Sequence, residues 1–267
     1  MNLGFGNKRA LVTGSSSGIG AGIAAMLAAE GCTIVVHGRD AAKTERVAAE
    51  IRAGNGIVEV ALGDLATNEG ADRVAAAAGE IDILVNNAGG AVGTSTMAWT
   101  EVPASSWAAT YQGNVIAAAR MINRLLPGMR SRGWGRIVNI ASAAGTQPIP
   151  FGPDYGAAKA AMINMTSSLA KSLGACGVTA NTVSPGMILT PAVERWLRGL
   201  AETMGWQGLD LEQLERKAAE TLAPIPVGRI GRPEEIAHVV CMIASPRLGY
   251  MTGANIRIDG GQVLSVN

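Results

Sequence analysis

The chain has 267 residues, enough for one α/β domain with a large core, and 48% hydrophobic residues with 35 glycines mark it as globular. A net charge of +1 without a basic block argues against a nucleic-acid partner or a membrane-surface helix. The three cysteines, Cys32, Cys176 and Cys241, form no metal spacing and no disulfide framework, so a reducing, cytoplasmic setting without a bound metal is expected, and no apolar run reaches the ~18 residues of a membrane span.

Residues 9–13 read as a buried strand, followed at once by Gly14-Ser15-Ser16-Ser17-Gly18-Ile19-Gly20 and a helical pattern to Glu30. Gly31 stops that helix and residues 33–37 form a second strand, completing a βαβ unit with a glycine-rich first turn. In such a turn glycines permit the tight bend, the approach of backbone to a pyrophosphate and close helix–strand packing, and the helix N-terminus offers N–H groups to phosphate. The spacing Gly-xxx-Gly-x-Gly departs from the commoner Gly-x-Gly-xx-Gly, but strand before and helix after point to nucleotide binding.

The alternation continues with a helix over 41–53, a strand over 57–62, a helix over 67–78 and a strand over 81–85. A long helical region over 105–132 and strands over 136–140 and 178–183 follow. Near-continuous apolar strands joined by helices predict a doubly wound parallel sheet covered on both faces, with ligands bound outside the carboxyl ends of the strands. Those ends carry His37-Gly38-Arg39-Asp40, Gly63-Asp64-Leu65, Asn86-Asn87-Ala88-Gly89-Gly90, Ala141-Ser142 and Ser184-Pro185-Gly186. Between the last two lies an Ala-rich helical stretch in which Tyr155 and Lys159 share a face. A cation held near a phenol favours the phenolate, so the pair is a candidate proton donor or acceptor, although the same spacing occurs on many surface helices.

From 187 to 226 the rhythm breaks, with Trp196, Trp206 and a charged helical stretch over 211–222, which suits a lid inserted after the sixth strand. A helix beginning at Pro233 and a last strand over 254–258 complete the chain.

Over essentially its whole length the chain resembles the short-chain dehydrogenase/reductase family. The resemblance is carried by Thr13-Gly14-Ser15-Ser16-Ser17-Gly18-Ile19-Gly20, Asn86-Asn87-Ala88-Gly89, Asn114, Ser142, Tyr155-xxx-Lys159 and Pro185-Gly186 with Thr190. It implies a single-domain Rossmann fold over 1–267 with a seven-stranded parallel sheet in the order 3-2-1-4-5-6-7, and hydride transfer between a nicotinamide and a ketone or secondary alcohol. Tyr155 would exchange the proton with the substrate oxygen, Ser142 would hydrogen-bond that oxygen, and Lys159 would lower the Tyr155 pKa and hold the nicotinamide ribose. Asn114, at an irregular helix turn, would anchor a water linking Lys159 to solvent. Thr190 and the backbone of Ile188 would grip the carboxamide, Asp64 with Leu65 would meet the adenine, and Asn87 beside Ala88 and Gly89 would line the ribose. Asn86 would be structural.

An acid at the end of the second strand takes the ribose hydroxyls in NAD users, whereas a nearby Arg accommodates the 2′-phosphate of NADP. Gly38 stands where NAD-preferring relatives carry Asp, and Arg39 follows, so NADP(H) is expected over NAD(H), although Ser16 and Ser17 are not joined by a base in the glycine turn. Substrate walls are expected from residues 90–95, from 143–154 with Ala144, Gln147, Ile149 and Phe151, and from Met187, Trp196 and Trp206. Arg195 and Arg198 could reach an anionic substrate or simply face solvent. The resemblance leaves an NADPH-dependent reductase of a ketone, keto sugar or 3-oxoacyl compound, an NAD-dependent alcohol or diol dehydrogenase, and a non-catalytic dinucleotide-binding module as readings. It also implies a homotetramer formed through the two long helical regions.

Overall fold

The computed structural model describes residues 3–91, 97–150, 152–222 and 224–265. Seven strands, β1 (Arg9–Val12), β2 (Thr33–Gly38), β3 (Val58–Leu62), β4 (Ile83–Asn86), β5 (Gly135–Ile140), β6 (Val178–Pro185) and β7 (Asn255–Ile258), form one parallel sheet in the order β3-β2-β1-β4-β5-β6-β7. This is the order the resemblance implies. Helices α1 (Gly18–Ala29), α2 (Ala41–Ala53), α3 (Asn68–Ala78), α4 (Ala104–Tyr111), α5 (Ala117–Ser131), α6 (Pro153–Leu173), α7 (Pro191–Thr203), α8 (Leu211–Thr221) and α9 (Pro233–Ala244) complete it.

The strand sequences explain the layering. Alternate side chains point to opposite faces, so Ala10, Val12, Ile34, Val36, Ile83 and Val85 join one core, into which α1 and α9 send Ile23, Leu27, Val240 and Ile243. Leu11, Val35, Leu84 and Ile137 join the other, against Val74 of α3 and Met121 and Leu125 of α5. Burial of each large aliphatic side chain contributes roughly 1.5–3 kcal/mol. Register is thereby fixed, because a one-residue slip would exchange the two faces.

Two stretches of the sequence reading resolve into defined elements. The helical region over 105–132 is α4, a π-helical turn over Gln112–Ile116, and α5. The segment 187–226 also contains α7, signalled by Thr190, whose hydroxyl caps the Val193 N–H at 3.3 Å, and by Pro191 in the first turn. Leu197 of α7 and Ala218 of α8 close on Ile225 and Ile230, so this segment has a small core of its own. Among the described residues no helix is long and apolar enough to cross a membrane, and no group of three potential metal ligands occurs.

Candidate active site

A cleft runs along the carboxyl ends of the strands in two lobes, of about 510 and 690 Å³. Gly14, Ser17, Ala88, Gly89 and Gly90 border both. Its floor is the turn between β1 and α1. Gly14 has φ of +65°, and a Cβ there would lie 2.8 Å from the Ala88 Cα, so only glycine fits. Asn87 holds the turn, its Nδ2 donating to the carbonyls of Thr13 and Gly14 at 3.0 and 3.1 Å, while the N–H groups of Asn87 and Ala88 donate to Thr13 Oγ1. Ser17 is the N-cap of α1, yet its hydroxyl makes no capping bond. The N–H groups of Gly18, Ile19 and Gly20 therefore open the helix at the cleft without intrahelical partners. That is the donor set a pyrophosphate requires.

The same turn is latched from β2. The Gly14 N–H donates to His37 Nδ1 at 2.9 Å, and His37 Nε2 lies 3.0 Å from the Gly63 carbonyl. A ring that accepts at Nδ1 is the neutral Nε2–H tautomer, so it donates to Gly63 and ties β1 to β3 across β2. Burial lowers its pKa below the ordinary 6.5, partly opposed by the bond to Gly63 and by Asp64; Arg39 lowers it further. Beyond His37, Gly38 leaves no room for a side chain: a Cβ there would lie 2.2 Å from Thr44 Oγ1 and 3.0 Å from Ser16 Cβ. Thr44 is fully buried and its hydroxyl donates to the Asp40 carbonyl at 2.6 Å. Arg39 borders the smaller lobe, with Asp64 and Leu65, and Lys43, Arg46 and Arg195 border the larger. The pattern at the strand end did not show Lys43 and Arg46, because they lie in the first and second turns of α2.

Ser142, Tyr155 and Lys159 line the far wall of the larger lobe. Tyr155 follows Gly152, whose φ of +59° precedes the helix start at Pro153. The phenol faces Ser142, whose Oγ accepts from the Ala144 N–H at 3.2 Å. Burial raises the Tyr155 pKa above its ordinary 10.0, and the Ser142 hydroxyl draws it partly back. The lowering expected from Lys159 is not among the causes of this shift, whose net direction is set by burial. The Lys159 ammonium stands 5.6 Å from the phenol ring centroid and donates to the Ile140 carbonyl at 2.9 Å, and burial brings its own pKa down to about 8.

Asn114 sits in the π-helical turn, the irregular element the sequence reading placed there. Its side chain accepts from the Gly90 N–H at 3.1 Å and donates to the Gly90 and Thr110 carbonyls at 3.0 and 2.8 Å, so it fastens the cleft wall. Pro185, Gly186 and Thr190 line the larger lobe. Ile188 does not: it is buried in the core and forms a parallel bridge with Gly231.

A smaller cavity of about 160 Å³ adjoins Ser142 and Tyr155, with Ala144, Gln147, Ile149 and Met187 in its wall. Trp196 instead packs, half-buried, against the core shared by α7 and α8, and Trp206 follows α7 without lining any of these cavities. Arg198 pairs with Glu194 at 2.8 Å, one helical turn away. Residues 92–95 and Phe151, expected as substrate walls, lie outside the described residues.

Residues 8–200 match the family model described as short chain dehydrogenase. An oxidoreductase of Bacillus subtilis is 35% identical, with all of both chains covered. A D-β-hydroxybutyrate dehydrogenase of Cupriavidus necator is 36% identical, over 96% of this chain and 98% of its own. The crystal structure of L-sorbose reductase from Gluconobacter frateurii, complexed with NADPH and L-sorbose, superposes with a TM-score of 0.92 at 34% identity and full coverage of both chains.

The latch has a pH signature. Because the folded-state pKa of His37 lies below 6.5, the unfolded chain binds more protons as pH falls through 6.5, so this stability is complete above 6.5 and is lost toward the lowered value. Urea unfolding across that window should show the loss in the wild type. His37→Asn keeps an acceptor for Gly14 without titrating and should give a flatter profile.

Proposed function

This chain belongs to the short-chain dehydrogenase/reductase family and is an oxidoreductase, and we propose that it reduces a ketone to a secondary alcohol with NADP(H). The observation that carries the reading is the joining of Ser142, Tyr155 and Lys159 to the glycine turn along one cleft. A bound nicotinamide supplies the hydride. Tyr155 gives its phenolic proton to the substrate oxygen, the role that a raised pKa favours. Ser142 donates to the same oxygen as charge develops on it. Lys159 stabilises the phenolate left behind.

The turn from Gly14 to Gly20, with Ser16 and Ser17, would hold the pyrophosphate, and Asp64 and Leu65 the adenine. Ala88 and Gly89 would border the ribose, where Asn87 acts by fixing the turn. Pro185, Gly186, Thr190 and the backbone of Ile188 would receive the carboxamide. Asn114 keeps the Gly89–Gly90 wall in place, and residues 187–226, with α7 and α8, form the lid.

The preference for NADP(H) rests on position 38. A carboxylate there would hold ribose hydroxyls and repel a 2′-phosphate, and Thr44 excludes any side chain at that point. Arg39 and Lys43 supply positive charge beside it. The L-sorbose reductase structure, an NADPH complex, supports the same choice. We read the outward faces of α5 and α6 as homotetramer interfaces, which light scattering of the purified protein tests.

A panel of carbonyl compounds with NADPH or NADH, followed at the nicotinamide absorbance band, tests the reading. Tyr155→Phe should lower kcat by about 10²–10⁴-fold and leave the NADPH dissociation constant unchanged; full activity in that variant would refute the assignment. Reduction in the wild type should fall as pH rises through about 8, where Lys159 loses its proton. Lys159→Met should abolish that limb. It should also raise stability below about pH 8, because the buried ammonium is a cost to the folded state that disappears only as pH rises from about 8 to 10.5.

Gly38→Asp should lose about 1–3 kcal/mol of stability through overpacking. Adding Thr44→Ala should recover part of that loss and move the cofactor preference toward NADH, read from the two KM values.

A further inference from the structure

Beside Tyr155, the smaller cavity joins two carboxamides distant in sequence, Gln147 after β5 and Gln262 after β7. Each has its oxygen committed to a backbone donor. Gln147 Oε1 accepts from the Leu264 N–H at 2.8 Å, and Gln262 Oε1 accepts from the Met187 N–H at 3.2 Å. An amide whose oxygen is held this way presents its NH₂ group as a donor only. Neither Nε2 makes a hydrogen bond within the described residues. The rest of the wall is apolar, from Ala143, Ala144, Ile149, Met187 and Val263, and no charged side chain borders it among the described residues. Arg195 of α7 borders the larger lobe instead.

We propose that Gln147 and Gln262 are specificity-determining residues that select an uncharged carbonyl substrate bearing a second acceptor oxygen close to the reacting carbonyl. This rests on the reductase reading above and names the substrate class of that site. A carboxylate would have to shed its hydration against apolar walls with only neutral donors in exchange, which is unfavourable. A ketone without a second oxygen would leave both donors without a protein or substrate partner once water is displaced. The volume of about 160 Å³ has room for about five water-sized groups, so the substrate portion beside Tyr155 is short.

The test compares ethyl 3-oxobutanoate, the 3-oxobutanoate anion and 2-hexanone, which differ in charge and in the second oxygen. With NADPH, the ester should exceed both others in kcat/KM by about tenfold. Gln147→Leu and Gln262→Leu, at independent positions, should each lower the ester-to-ketone ratio several-fold. Preference for the anion, or a ratio unchanged in both variants, overturns the proposal. Calorimetric titration of the same three compounds into NADPH-loaded Tyr155→Phe protein separates the two readings. Ester-selective binding without any turnover in the wild type would uphold the Gln pair and reject the reductase. Absence of ester selectivity in this titration would reject the Gln pair whatever the turnover.

Discussion

The Lys159 ammonium, buried and bonded to the last carbonyl of β5, is the contact on which the site depends. Its partners are the Ile140 carbonyl and the Met162 sulfur rather than a carboxylate, and burial depresses its pKa to about 8. Holding that charge out of water at neutral pH costs about 3 kcal/mol relative to a solvated lysine. A sequence selected for stability alone would place an apolar residue there. The sheet tolerates the cation because the cores on its two faces are continuous, and the cation in turn locks α6 to the strand edge where Tyr155 must stand.

The same edge is held by a series of buried polar bonds between elements adjacent in the sheet but remote in sequence. Asn86 at the end of β4 donates to Asn139 of β5 at 2.8 Å, and Asn139 donates to Thr166 of α6 at 2.8 Å. Thr110 of α4 donates to the buried Asp154 at 2.6 Å, and its carbonyl accepts from Asn114. These bonds join the Gly90 wall, the π-helical turn and the start of α6. Each buried partner left unmatched would cost about 1–3 kcal/mol, so the network specifies one relative placement of these loops where hydrophobic packing alone would permit several.

Much of this was legible in the chain. The βα rhythm sets the fold because continuous apolar strands can be buried only between two helical layers, and the glycine turn and the Tyr155–Lys159 spacing are local in sequence. What escaped depends on contacts between elements. Gly38 reads as a missing acid, but its meaning comes from Thr44, which the turn into α2 folds back onto it. His37 reads as a strand residue, and only the proximity of β1 and β3 makes it a latch. Trp196 reads as a substrate wall on composition, yet the pairing of α7 with α8 packs it, half-buried, against their common core.

The sign of the Tyr155 shift follows from the same logic of burial. Removal from water favours the neutral form of both partners, raising the phenol and lowering the ammonium. The Ser142 hydroxyl opposes the first effect, and no carboxylate opposes the second. At neutral pH the phenol therefore stands protonated beside a lysine that still carries its charge. That combination is poised to give up a proton and then stabilise the anion formed, whereas acting as a base first requires ionising a phenol in a site that resists it. Desolvation of the cleft thus sets the resting charges of the wall, a neutral phenol beside a charged ammonium.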